Sequence, residues 1–144
     1  MILNLSKKKY ISKSPFYATS LIQRTRGMIG RSFDGAPFDA MVFGNCNTIH
    51  SLFMSIPIDV LFIDMGNNIC DMRQALPPWV FMVRCRNAFT TIELPCGVIN
   101  TTGTEIGDKV DLSSELTMEF ERELRGEKII SPVESVISFK ESGK

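Results

Sequence analysis

The sequence predicts a mainly β fold of the α+β type, a mixed or antiparallel sheet that closes on itself as a small barrel or sandwich. Three observations predict it. Between Ala40 and Asn100 short runs rich in β-branched and aromatic residues alternate with turn formers. Met65-Gly66-Asn67-Asn68 separates two such runs as a hairpin turn does. Helical spacing of apolar residues is confined to one segment near each end of the chain.

Met1 to Leu5 alternates as a short strand, and Lys7 to Lys9 then read as a solvated edge or loop. From Phe16 to Ile29 the residues Tyr17, Leu21, Ile22, Thr25, Met28 and Ile29 recur at helical spacing, with Ser14 as cap and Pro15 as first helical residue. Gly27 and Gly30 weaken the last turn, and Asp34 to Pro37 break the chain. Strands are expected at Ala40 to Phe43, Thr48 to Met54, Asp59 to Ile63, Ile69 to Arg73 and Ala88 to Leu94. Pro57 and Pro77-Pro78 donate no ladder bonds and belong at strand ends or loops. Gly97 to Thr102 is short and ambiguous, and Ile106 to Val110 leads into a last strand ending near Leu112. Beyond Ser113, Leu116, Phe120 and Leu124 with the Glu121/Arg125 pair predict a second amphipathic helix ending at Gly126.

A chain of 144 residues, 44% hydrophobic, fills one domain core. Its longest apolar runs fall far short of the roughly 20 residues that span a bilayer, and no secretory signal stands at the start, so a cytoplasmic location without membrane contact is expected. Sixteen basic and sixteen acidic residues cancel. The first 33 residues carry seven bases and no acid, whereas residues 105–144 carry ten acids and six bases, which reads as two solvated or mutually paired ends. No nucleic acid partner is expected. Cys46, Cys70, Cys85 and Cys96 form no CxxC pair and His50 is the single histidine, so the cysteines read as buried thiols and no metal or cofactor is expected.

The segment Cys46 to Asp64 concentrates the chemistry. In a strand, His50, Leu52 and Met54 share one face. Asp59 and Asp64 fall on opposite faces and make no acid and base dyad: Asp64 is a turn residue, and Asp59 either holds a loop or meets a ligand. No GxSxG elbow, GxGxxG loop or GxxxxGK[ST] loop is present.

Arg26-Gly27-Met28-Ile29-Gly30-Arg31, the segment Cys46 to Asp64, Leu76-Pro77-Pro78-Trp79, Ile92-Glu93-Leu94-Pro95-Cys96-Gly97 and Ile106-Gly107-Asp108-Lys109-Val110 resemble, in order and spacing, the blocks of the prokaryotic family catalogued as domain of unknown function 192. The resemblance covers roughly residues 17 to 112, with mild departures at Ile29 and Leu52. It implies a compact, mostly antiparallel β-barrel with a few short helices, a domain over 1–112 and a C-terminal extension over 113–144 that packs on it. It brings no reaction, cofactor or ligand. The family's recurrent polar positions carry over as His50, Asp59, Asp64 and Glu93, with Trp79 as aromatic companion. These either converge on one side of the barrel around a small polar ligand or each satisfy buried backbone groups.

Three functions follow as expectations. The first is a non-enzymatic binding or accessory protein, monomer or weak homodimer, with a shallow polar pocket near His50, Met54, Asp59 and Glu93 that takes a small polar ligand or a protein partner. The second is an enzyme using His50 with Asp59 or Glu93 as acid and base or metal ligands. The third is an interaction module built on the C-terminal helix.

Overall fold

The strand Ile58–Ile63 is buried at all six positions. A strand with no polar face belongs in the middle of a sheet that is covered on both sides. The computed structural model, which describes residues 1–113 and 125–126, has this arrangement. In chain order the elements are β1 (Ile2–Asn4), β2 (Lys9–Ser12), β3 (Pro15–Tyr17), α1 (Leu21–Arg26), β4 (Ala40–Gly44), β5 (Thr48–Ile49), β6 (Ile58–Ile63), β7 (Ile69–Leu76), β8 (Val83–Arg84), β9 (Thr90–Pro95), α2 (Val98–Thr102) and β10 (Val110–Asp111).

The central sheet has five strands in the order β3-β4-β9-β6-β7. Its pairs are antiparallel except for β3 with β4. Register sorts its side chains into two faces. Val42, Ile92 and Leu61 lie in one row and Met41, Glu93 and Val60 in the next, and adjacent rows point to opposite sides. The face bearing Val42, Leu61, Ile92 and Leu94 packs on Ile2, Ile11 and Val110 of the antiparallel sheet β10-β1-β2, together with Ile99 of α2. The opposite face, bearing Met41, Phe43, Val60 and Phe62, packs on Met28, Met54 and the β5-β8 residues Ile49 and Val83.

The fold is therefore mainly β with short helices, but the barrel is corrected. The five-stranded sheet ends at β3 and β7, and among the described residues no strand pairing joins these edges. Apolar side chains on both faces of β4, β6 and β9 call for cover on both sides, which the two smaller sheets and the helical segments supply.

The first helix is also corrected. Residues expected to begin it form β3, because Pro15, Phe16 and Tyr17 pair with Ala40, Met41 and Val42. The Lys13 and Ser14 amides leading into it donate to the Asp39 carboxylate at 2.9 Å each. Helix α1 starts only after Ser20, whose hydroxyl accepts from the Gln23 amide while the Gln23 side chain accepts from the Ser20 amide. Leu21 and Ile22, whose spacing suggested a buried stripe, are 81% and 79% exposed. The strand expected over Thr48 to Met54 stops at Ile49, and Phe53 has a left-handed φ of 60°. Of the cysteines expected to be buried, Cys96 is exposed and the other three are half-buried.

The chain divides into two units, Met1–Leu112 and Ser113–Lys144. The expected helix through Leu116, Phe120 and Leu124 lies outside the described residues. Among the described residues no helix is long and apolar enough to cross a membrane.

Candidate functional site

Glu93 lies on the central strand β9, opposite Met41 of β4 on one side and Val60 of β6 on the other. Its side chain enters the second apolar layer and is only 4% exposed. Oε2 is buried without a hydrogen-bond partner among the described residues. Burial pushes the carboxyl up to about 8, so it holds its proton at neutral pH and presents one O–H donor and one acceptor.

The chain leaving α1 passes directly over this carboxyl. Gly27 ends the helix with φ 47° and ψ −128°, a conformation that L side chains rarely adopt, and its amide donates to the Gln23 carbonyl. A Cβ on Gly27 would stand 3.6 Å from Phe43 Cζ and 4.0 Å from Glu93 Oε2. A cleft of about 80 Å³ opens here, with Glu93 as its buried acid and Met28, Phe43 and Met54 among its apolar walls. Met28, Met54 and Phe43 are all buried, whereas Arg26 and His50 line the same cleft from exposed positions at its rim.

The rim has distinct jobs. Arg24 ties α1 to the end of β4, donating to the Gly44 carbonyl at 2.6 Å and the Asn45 carbonyl at 3.3 Å. The Arg26 guanidinium has no hydrogen bond or ion pair among the described residues. The Nδ1 of His50 accepts from the Leu52 amide at 3.2 Å, so the neutral ring carries its proton on Nε2. Met54 is placed by Ser51, which is fully buried. The Ser51 carbonyl accepts from the Met54 and Trp79 amides, its amide donates to the Val80 carbonyl, and its hydroxyl bridges Pro77 and Val80.

Of the residues singled out in the sequence, His50, Met54 and Glu93 share this cleft, whereas Asp59, Asp64 and Trp79 do not line it. Asp59 projects from the opposite face of the sheet. Its Oδ1 accepts from the Ala75 amide at 2.9 Å, and its Oδ2 accepts from Gly97 at 3.0 Å and Ile99 at 2.9 Å. Asp59 thus holds the end of β7 and the start of α2. Asp64 closes the β6-β7 turn by accepting from the amides of Gly66 and Asn68. Trp79 is 63% exposed, with φ 68°, and meets Phe53 edge to face at 5.0 Å.

Sequence reasoning passed over Arg26, Gly27, Met28 and Phe43 as cleft residues and Ser51 as the clamp behind Met54. The available signal was the Arg26-Gly27-Met28 block itself, since a glycine closing a helix marks a tight approach of backbone to something beneath it. Among the described residues no three His, Cys, Asp or Glu side chains gather as a metal site would require.

Comparison with known proteins gives three findings. A family model described as Uncharacterized ACR, domain of unknown function 192, matches residues 11–112. Proteins carrying the name UPF0127 are similar in sequence. That of Pyrococcus furiosus is 31% identical over 116 residues, covering 76% of this chain and 96% of its own length. That of Thermococcus sibiricus is 41% identical over 68 residues, covering 47% of this chain, and the match spans only 44% of that relative. A crystal structure of a protein of unknown function from Novosphingobium aromaticivorans superposes with a TM-score of 0.59 at 18% identity, over 67% of this chain and 73% of that one, which shows a shared fold.

Proposed function

The chain belongs to the uncharacterised family of domain of unknown function 192, and from that premise we propose that it is a binding protein that takes a small ligand in the cleft over Glu93. The supporting observation is the buried Glu93 Oε2, which has no hydrogen-bond partner among the described residues. Leaving such a group unpaired costs about 1–3 kcal/mol, a cost the fold bears with no structural return. Departures of this kind concentrate at functional sites, and a ligand bound in the cleft would supply the missing contact. Asp59 is the contrast, since its oxygens are all occupied by backbone amides.

Binding is favoured over catalysis because, although His50 and Glu93 share the cleft, no hydrogen bond joins them among the described residues, and His50 Nδ1 is taken by the Leu52 amide. Asp59 is committed on the other face of the sheet, and Glu93 is shifted by burial alone, with no titratable neighbour contributing.

The test compares the wild type with Glu93→Met, which replaces the orphan carboxyl by an apolar chain of similar length. Melting is followed with and without small four-carbon probes: butylamine, butanamide, butanoate and 4-aminobutanoate. The free variant should melt higher than wild type, and any probe-induced rise in melting temperature should disappear in it. A variant that melts lower, as a truncated core does, and keeps the probe response would overturn the reading.

A further inference from the structure

Resting on the binding reading above, we propose that the cleft takes a short linear zwitterion, with its ammonium end against the Glu93 carboxyl and its carboxylate end against the Arg26 guanidinium.

The two ends of the cleft differ in kind. Its buried end holds a carboxyl with an unpartnered oxygen and no bonded cation among the described residues. Its rim holds a cation, Arg26, whose side chain is exposed and has no partner among the described residues. Met28, Phe43 and Met54 supply hydrocarbon and two adaptable thioethers along the walls. Neither arginine of the cleft bonds Glu93 Oε2 among the described residues, and Arg24 is committed to the Gly44 and Asn45 carbonyls. The acid is buried in the sheet face and Arg26 is exposed, and a ligand that reaches both must be elongated and carry opposite charges at its ends.

Ligands charged at one end only fit less well. A simple anion would bury its charge beside Glu93 with no cation at that depth. A simple amine would satisfy Glu93 but would leave Arg26 unpaired. The cleft volume of about 80 Å³ is many times the roughly 10–15 Å³ that one water requires, which suits a chain of a few carbons.

The proton balance follows from the state of Glu93. Near pH 7 the free protein holds the carboxyl proton. An ammonium bound against it favours the ionised form, so close to one proton leaves Glu93 for the solvent per ligand bound. The ligand keeps its own.

The experiment is titration calorimetry on the full chain at pH 7, in two buffers of different ionisation enthalpy. The probes are 5-aminopentanoate and 4-aminobutanoate, with butylamine, butanoate and butanamide as comparators. The zwitterions should bind about tenfold or more tighter than any comparator, with release of close to one proton. Arg26→Gln, at an exposed and unpaired position, should weaken 5-aminopentanoate by about tenfold and leave butylamine unchanged. Glu93→Gln should abolish both. If butanoate or butanamide binds as tightly, or no proton is released, the zwitterion is overturned and the cleft remains a site for another ligand class. If no probe binds, the zwitterion also falls, and the melting of Glu93→Met then decides whether the cleft reading falls with it.

Discussion

Asp59 and Glu93 stand on paired antiparallel strands one register step apart, Asp59 opposite Leu94 and Glu93 opposite Val60, and their side chains leave the sheet on opposite faces. Both are almost completely buried. One accepts three backbone amides, and the other has an oxygen that accepts from no group among the described residues. A buried carboxyl group that accepts three amides stabilises the loops it joins, whereas a buried carboxyl oxygen left without a donor destabilises the fold.

Asp59→Asn should therefore destabilise the protein by about 2–3 kcal/mol, because the amide keeps one acceptor oxygen and turns an NH₂ group toward an N–H donor. Urea unfolding measures the loss. Hydrogen exchange should quicken at the amides of Ala75, Gly97 and Ile99, which Asp59 holds. The ligand response of the cleft should survive, since Asp59 serves the other face of the sheet.

Glu93 makes stability depend on pH with a definite sign. Its folded-state value of about 8 lies above its ordinary 4.5. Between these values the folded protein holds a proton that the unfolded chain has lost. Stability from this group is fully present below about pH 4.5, falls by up to about 1.4 kcal/mol per pH unit as pH rises, and levels off above about pH 8. Denaturant melts at half-unit steps from pH 5 to 9 should show this slope in the wild type and lose it in Glu93→Gln. An unchanged slope in the variant would assign it to other groups.

The two carboxyls also show how far the sequence could be read. The central strands β4, β6, β7 and β9 were legible because their β-branched and aromatic runs are long, and Met65 to Asn68 marked the hairpin. Strands β2, β3 and β8 were not, because two to four residues become a strand only through distant partners, as Val83 does with Ile49. His50 to Met54 alternates as a strand would, yet the Ser51 clamp and the left-handed Phe53 turn it into a loop. Glu93 entered only through the family resemblance. By alternation it reads as an exposed polar residue, and only the layer over β9 buries it. Asp59 was left between holding a loop and meeting a ligand, and its three amide partners come from segments that sequence spacing does not bring together.

Ser51→Ala tests the clamp behind Met54. The hydroxyl donates to the Pro77 carbonyl at 2.6 Å and accepts from the Val80 amide at 2.9 Å, and its removal leaves both groups without a partner. A loss of about 1–3 kcal/mol is expected. Because Phe53 and Trp79 are held in left-handed conformations beside this serine, the fluorescence of the single tryptophan should shift in the folded variant. Retained stability with unchanged emission would show that the backbone bonds of Ser51 suffice.

Gly27→Ala separates backbone strain from access to Glu93. At φ 47° and ψ −128° an alanine is expected to cost about 1–3 kcal/mol. Its Cβ would meet Phe43 and Glu93 at 3.6 and 4.0 Å, which are ordinary contacts, so crowding adds little to that cost. The methyl group would nevertheless lie against Glu93 Oε2, where the ligand's polar end is to sit. Gly35→Ala is the control, since Gly35 also has a positive φ of 71° but faces open space outside the cleft. Both variants should melt lower than wild type. Only Gly27→Ala should weaken the binding of 5-aminopentanoate measured by calorimetry, by about tenfold, as expected when a buried charge-assisted contact is blocked. Equal ligand affinity in the two variants would place the ligand's end away from Glu93.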